Sequence, residues 1–99
     1  MARPKSDRGA ARQIVRALRR AGWNMTCVTY EDGEEIPVRN EREALNLLFE
    51  VDNVWVTFAK DDDEGWVYFV WGNFPEEAAN DWSLNLSDAV DPLVDGWLW

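Results

Sequence analysis

Hydrophobic positions along this chain recur at two periods, and the changes from one to the other mark its elements. Ala10, Ala11, Ile14, Val15, Leu18 and Ala21 follow one another at spacings of three and four, with Arg8, Arg12, Arg16, Arg19 and Arg20 on the other side. That is the period of an amphipathic helix. Ser6 supplies its N-cap and Gly22 suits its left-handed end. From Trp23 to Tyr30 the period shortens to two, with Trp23, Met25 and Cys27 set against Asn24, Thr26, Val28 and Tyr30, which predicts a strand. Glu31-Asp32-Gly33 is a hairpin turn signal, and Glu34 to Arg39 predicts a short return strand that Pro37 places at a sheet edge. Asn40 followed by Glu43 has the form of a reciprocal cap, and Ala44, Leu45, Leu47, Leu48 and Val51 then form an apolar stripe, a helix over about 41–50.

Two further strands are predicted, Val54 to Lys60 and Gly65 to Gly72, joined through Asp61-Asp62-Asp63-Glu64-Gly65. This hairpin is apolar on both faces. Val54, Val56 and Phe58 alternate with Trp55, Thr57 and Ala59, while Trp66, Tyr68 and Val70 alternate with Val67, Phe69 and Trp71. An antiparallel sheet with one wet face shows polar residues on alternate positions, so a second cover is expected, either the domain's own helices or a second copy of the chain. Beyond Gly72, the Asn73-x-x-Glu76 pattern with Pro75 predicts a helical turn through about Asn80. Asp91-Pro92 predicts the start of a last short helix with Leu93, Val94, Trp97 and Leu98 as its apolar side, and the chain closes on Trp99. The order α-β-β-α-β-β-(α) implies an α+β fold, a four-stranded antiparallel sheet with packed helices. Residues 1–5 read as a loose tail and 6–99 as one domain.

Charge changes this picture. The net charge of −9 is the sum of a basic head, +6 over residues 1–20, and an acidic body, −15 over residues 21–99. Either the basic helix lies against the acidic body and lowers its self-repulsion, or one part faces outward. An outward helix would present Arg8, Arg12, Arg16, Arg19 and Arg20 to nucleic acid, with Trp23 as a stacking surface, although the rest of the chain repels phosphates. An outward acidic body could imitate nucleic acid if Asp61 to Glu64, Glu76, Glu77, Asp81, Asp88, Asp91 and Asp95 form an extended stripe.

Candidate chemistry is sparse. The chain has no histidine, which removes the usual general base at neutral pH and the commonest metal ligand. Cys27 is alone, so no intramolecular disulfide forms, and its setting among Met25, Val28 and Tyr30 reads as a buried small hydrophobe. Asp61-Asp62-Asp63-Glu64 lacks the alternating ligand spacing of a calcium loop and reads as a solvated turn. No glycine-rich phosphate loop, nucleophile elbow or cysteine cluster is present. The expectation is a non-enzymatic protein without a metal or other cofactor. The longest apolar run, Trp66 to Trp71, has six residues against the roughly 20 of a spanning helix, and no apolar stretch follows the basic N-terminus as in a signal peptide. A cytoplasmic protein is expected.

An apolar helix leading to Val51-Asp52, the hairpin Val54 to Trp71, then Gly72-Asn73, Pro75-Glu76-Glu77 and Asp81-Trp82 follow in order. In these features the stretch from Ala44 to Trp82 resembles a group of small, mostly uncharacterised proteins of tailed bacteriophages and prophages. The resemblance implies an accessory protein acting in the bacterial cytoplasm, and brings no catalytic residues with it. The leading expectation is therefore binding to a host protein. Trp55, Trp66, Tyr68 and Trp71 would form an aromatic patch, with Asp61, Asp62, Asp63 and Glu64 beside it. A homodimer through the same hairpin is the structural alternative, and nucleic acid ranks below a protein partner.

Overall fold

The computed structural model describes residues 3–98, a body of 34 × 29 × 21 Å. Trp99, and the first two residues of the stretch read as a tail, lie outside the described residues; Pro4 within that stretch is buried. Helix α1 (Asp7–Arg20) starts where the sequence predicts, with the Ser6 hydroxyl accepting from the Gly9 amide at 3.0 Å. Helix α2 (Glu41–Leu48) starts the same way, with Asn40 Oδ1 accepting from the Glu43 amide at 2.9 Å. In both, a side chain satisfies a backbone donor that the first turn leaves free.

Among the described residues the sheet has five strands, not four. It is antiparallel throughout, in the order β2-β1-β3-β4-β5, formed by β1 (Asn24–Tyr30), β2 (Glu35–Pro37), β3 (Asn53–Lys60), β4 (Asp63–Val70) and β5 (Ala79–Trp82). The fifth strand occupies residues read as a helical turn and unassigned chain. Only Pro75–Glu77 winds, as a single 3-10 turn without a side-chain cap, after which the Val70 amide bonds to the Ala78 carbonyl and draws the following residues alongside β4. The turn between β3 and β4 is also tighter than predicted. Lys60 pairs with Asp63, so the loop is Asp61-Asp62 alone, with Asp61 at φ 54°. Helix α3 (Ser87–Leu98) begins ahead of Asp91-Pro92, because Leu86 and Val90 extend the apolar spacing of Leu93, Val94 and Trp97. Pro92, lacking a donor, sits on its exposed side.

All three helices lie on one face of the sheet. Ala10, Ala11, Ile14, Val15 and Leu18 of α1, Leu45 and Leu48 of α2, and Val90 and Trp97 of α3 form one cluster with Val28, Val54, Val56, Phe58, Val67, Phe69 and Ala79 of the strands. Gly65 is where the covered face meets the chain leading into α3. A Cβ there would come within 2.8 Å of Asn85 Oδ1 and of the Leu86 side chain. In β1 the register shifts between Met25 and Cys27, a bulge at Thr26. The bulge reverses the alternation predicted there: Trp23 and Met25 before it, and Val28 and Tyr30 after it, all turn toward the core.

Candidate functional site

Among the described residues no helix packs on the other face of the sheet. Its residues follow from the register, since side chains directly opposite in an antiparallel pair share a face. One row runs across all five strands, Glu35, Thr29, Trp55, Tyr68 and Asp81. The next row on one side contains Pro37, Cys27, Thr57 and Trp66, followed by Asn24, Ala59 and Glu64, and on the other side of the first row Asn53 lies opposite Val70. Trp55, Ala59, Trp66 and Val70 belong neither to the core nor to the partly buried residues packed on it.

The centre of this face is ordered. The Trp55 and Tyr68 rings stack with centroids 4.3 Å apart, and Asn53 Nδ2 donates to the Tyr68 hydroxyl at 2.7 Å, which fixes the phenol. Trp66 is 37% exposed. Its amide donates to the Ser83 hydroxyl at 2.9 Å and its carbonyl accepts from the Ser83 amide at 2.9 Å; Leu84, the next residue along, is 89% exposed. Asn53, Thr57, Glu35 and Leu84 were not among the predicted site residues. The first two are legible as the period-two neighbours of Trp55; Glu35 joins the face only through strand pairing, and Leu84 follows the residue bonded to Trp66.

Of the four aromatic residues predicted to form a patch, three share this face. Trp71 stands apart. It packs on the core side against Phe49 and Phe69, with centroids 4.3 Å and 5.1 Å away, and its Nε1 donates to the Leu48 carbonyl at 2.7 Å. The acidic run is also divided: Asp61 and Asp62 form the turn, Asp63 pairs with Lys60, and Glu64 alone takes a position on the uncovered face. Cys27 is not the buried hydrophobe expected, because the bulge places it half-buried on the uncovered face.

The arginines of α1 point away from the core. Arg19 forms an ion pair with Glu41, and Arg8 donates to Asn46 Oδ1 at 3.3 Å with its guanidinium 4.9 Å from the Phe49 ring centroid. Arg12, Arg16 and Arg20 are exposed and have no ion pair among the described residues. The basic helix therefore does not neutralise the acidic body through a lattice of ion pairs. Asp88, Asp91 and Asp95 of α3 are exposed, and Asn85, ahead of that helix, donates from Nδ2 to the Glu64 carbonyl at 2.7 Å near the start of β4.

The Tyr30 phenol is pushed up from its ordinary value, first by burial and then by the nearby Glu50 and Glu34 carboxylates, while its hydroxyl donates to the Leu47 carbonyl at 2.8 Å. Each of these effects favours the neutral phenol, the form that donates this bond. Among the described residues no group of three or more His, Cys, Asp or Glu side chains is gathered to hold a metal ion, and no helix is long and apolar enough to cross a membrane. Comparison with protein-family models, with curated proteins and with solved structures finds no match to this chain.

Proposed function

We propose that this chain is a non-enzymatic accessory protein of phage type that binds and modulates a host protein in the bacterial cytoplasm, with the uncovered sheet face as its docking surface. The observation that supports this reading is the division of one hairpin: its Val54, Val56, Phe58, Val67 and Phe69 side is sealed by the chain's own helices, and its Trp55, Trp66 and Tyr68 side is not. The core is complete without the second side. Aromatic rings and small side chains held rigidly on an open sheet are removed from water only by another molecule, and such rings supply large contact area at low entropic cost. A catalytic role has weaker support, since Cys27 has no histidine to activate it and Tyr30 favours its neutral form.

The test is retention of proteins from a bacterial lysate on immobilised wild type, on the Trp66→Ala/Tyr68→Ser double variant and on an Arg12→Gln/Arg16→Gln variant. Retention of a protein by the wild type and the arginine variant, with loss on the folded sheet variant, is the expected result. Equal retention by all three, or no retained protein, rejects the docking face. One observation favours a second reading, nucleic-acid binding through α1: Arg12, Arg16 and Arg20 project into solvent one helical turn apart. Binding of labelled DNA or RNA that weakens steeply with salt and is lost in the arginine variant would establish that reading instead.

A further inference from the structure

The chemistry of the docking face narrows what it can take. Its widest row begins at Glu35 on one edge strand and ends at Asp81 on the other, with the Trp55–Tyr68 stack between them. Glu64 lies on the same face, two residues before Trp66. All three carboxylates are exposed. No lysine or arginine occupies a strand position on this face: Lys60, the only basic residue in the strands, pairs with Asp63 on the other side and has its ammonium 6.0 Å from the Trp23 ring centroid. The row is about 19 Å long at an interstrand spacing of about 4.8 Å, with aromatic rings on its two adjacent strands β3 and β4, acids at its margins and no basic residue at a strand position of this face.

We propose that this face takes a cationic protein surface whose arginine side chains lie over the Trp66, Trp55 and Tyr68 rings and pair with Glu35, Glu64 and Asp81. The proposal rests on the docking reading above and adds the chemistry of the partner. A guanidinium is attracted to an aromatic ring by the ring's quadrupole, and its planar fork matches a carboxylate, so arginine satisfies both components of the face at once. The other occupants fit worse. Nucleic-acid bases would stack on the rings, but their phosphates would meet three carboxylates. A second copy docked face to face by a two-fold axis would bring the acidic margins together without a counter-charge. A wholly apolar partner would cover carboxylates that it cannot pair.

Cys27, the single cysteine, lies on this face in register with Thr57 and so reports its coverage. The experiment follows the rate of Cys27 alkylation, and the amide and indole NMR shifts of the sheet, as the full chain is titrated with a short peptide alternating arginine and valine. A lysine version and a version with citrulline, the neutral isostere of arginine, are the comparisons. The arginine peptide is expected to slow alkylation and to move the Trp55 and Trp66 indole signals, the lysine peptide to bind more weakly, and the citrulline peptide to leave both readouts unchanged.

Two triple variants separate this site from general attraction to an acidic protein. Glu35→Gln/Glu64→Gln/Asp81→Asn and Glu77→Gln/Asp88→Asn/Asp95→Asn each remove three acids. Only the first is expected to weaken the arginine peptide, by about tenfold, through the loss of three marginal ion pairs. Equal weakening in the two variants, equal binding of the citrulline peptide, or shifts confined to residues off this face would overturn the proposal. So would self-association of the free chain, seen by sedimentation, that disappears in Arg12→Gln/Arg16→Gln, since the occupant would then be α1 of a second copy. If the peptides are ignored while a lysate protein protects Cys27 and is lost on the sheet variant, the docking face stands and its cationic chemistry fails. If neither occurs, both fail.

Discussion

The two sides of the β3–β4 hairpin carry similarly apolar residues and end in opposite environments. Val54, Val56, Phe58, Val67 and Phe69 are fully buried, whereas Trp55, Thr57, Ala59, Tyr68 and Val70 are only partly so and Trp66 is exposed. Apolarity alone does not select the core side of a strand. The selection comes from where the covering helices land, and α1, α2 and α3 all land on the same side. The side left open has a different chemistry in one respect: its large residues are Trp and Tyr, whose rings carry a polar tip and tolerate partial contact with water.

The comparison is tested most strongly by truncation on the covered side. Phe58→Ala is expected to destabilise the fold by about 3–5 kcal/mol, a large part of the stability of a domain of this size, while Trp66→Ala on the open side should lower the urea midpoint only slightly. Similar losses at the two positions would show that the open face is structurally as important as the core. Next in size is Gly65→Ala, where the added methyl would press on the fully buried Leu86. A cost of about 1–3 kcal/mol is expected from overpacking, read as a lower melting temperature with an unchanged far-UV spectrum.

The smallest effect concerns Tyr30, which faces the core side but sits at its margin. Removing its hydroxyl in Tyr30→Phe should cost about 1 kcal/mol at neutral pH through the lost bond to Leu47. Because folding raises the Tyr30 pKa, the contribution of its neutral form is complete below the unfolded value near 10 and is lost as pH rises through the folded value. Denaturation at increasing alkaline pH should therefore narrow the gap between wild type and Tyr30→Phe. A gap that stays constant would mean that the phenol is not held neutral by burial and the two carboxylates.

Legibility in the sequence varied with the range of the interaction. Both helix starts were readable, because Ser6 and Asn40 cap amides only three residues away. The open-face trio was partly readable, since Trp66 and Tyr68 are two apart in one strand and must share a face. Trp71 does not belong with them: Tyr68 is an odd number of residues away, the alternation separates the two, and the structure follows it. Cys27 failed for a different reason. A bulge at Thr26 changes the phase of β1, and no local signal marked it.

By itself the sequence determined the positions of α1, α2 and the β3–β4 hairpin, the arginine face of α1, the division between a basic head and an acidic body, and the lack of histidine chemistry. These depend on side-chain identity, on nearest-neighbour backbone sterics and on caps that act within a turn. Only the tertiary structure decided that residues 79–82 pair as a fifth strand, that the helices cover one side of the hairpin, and that Glu35, Glu64 and Asp81 border the same aromatic face. Those outcomes depend on strand register and on packing between residues distant in the chain. Alternation assigns side chains to one of two faces, but it does not say which face the rest of the molecule will cover.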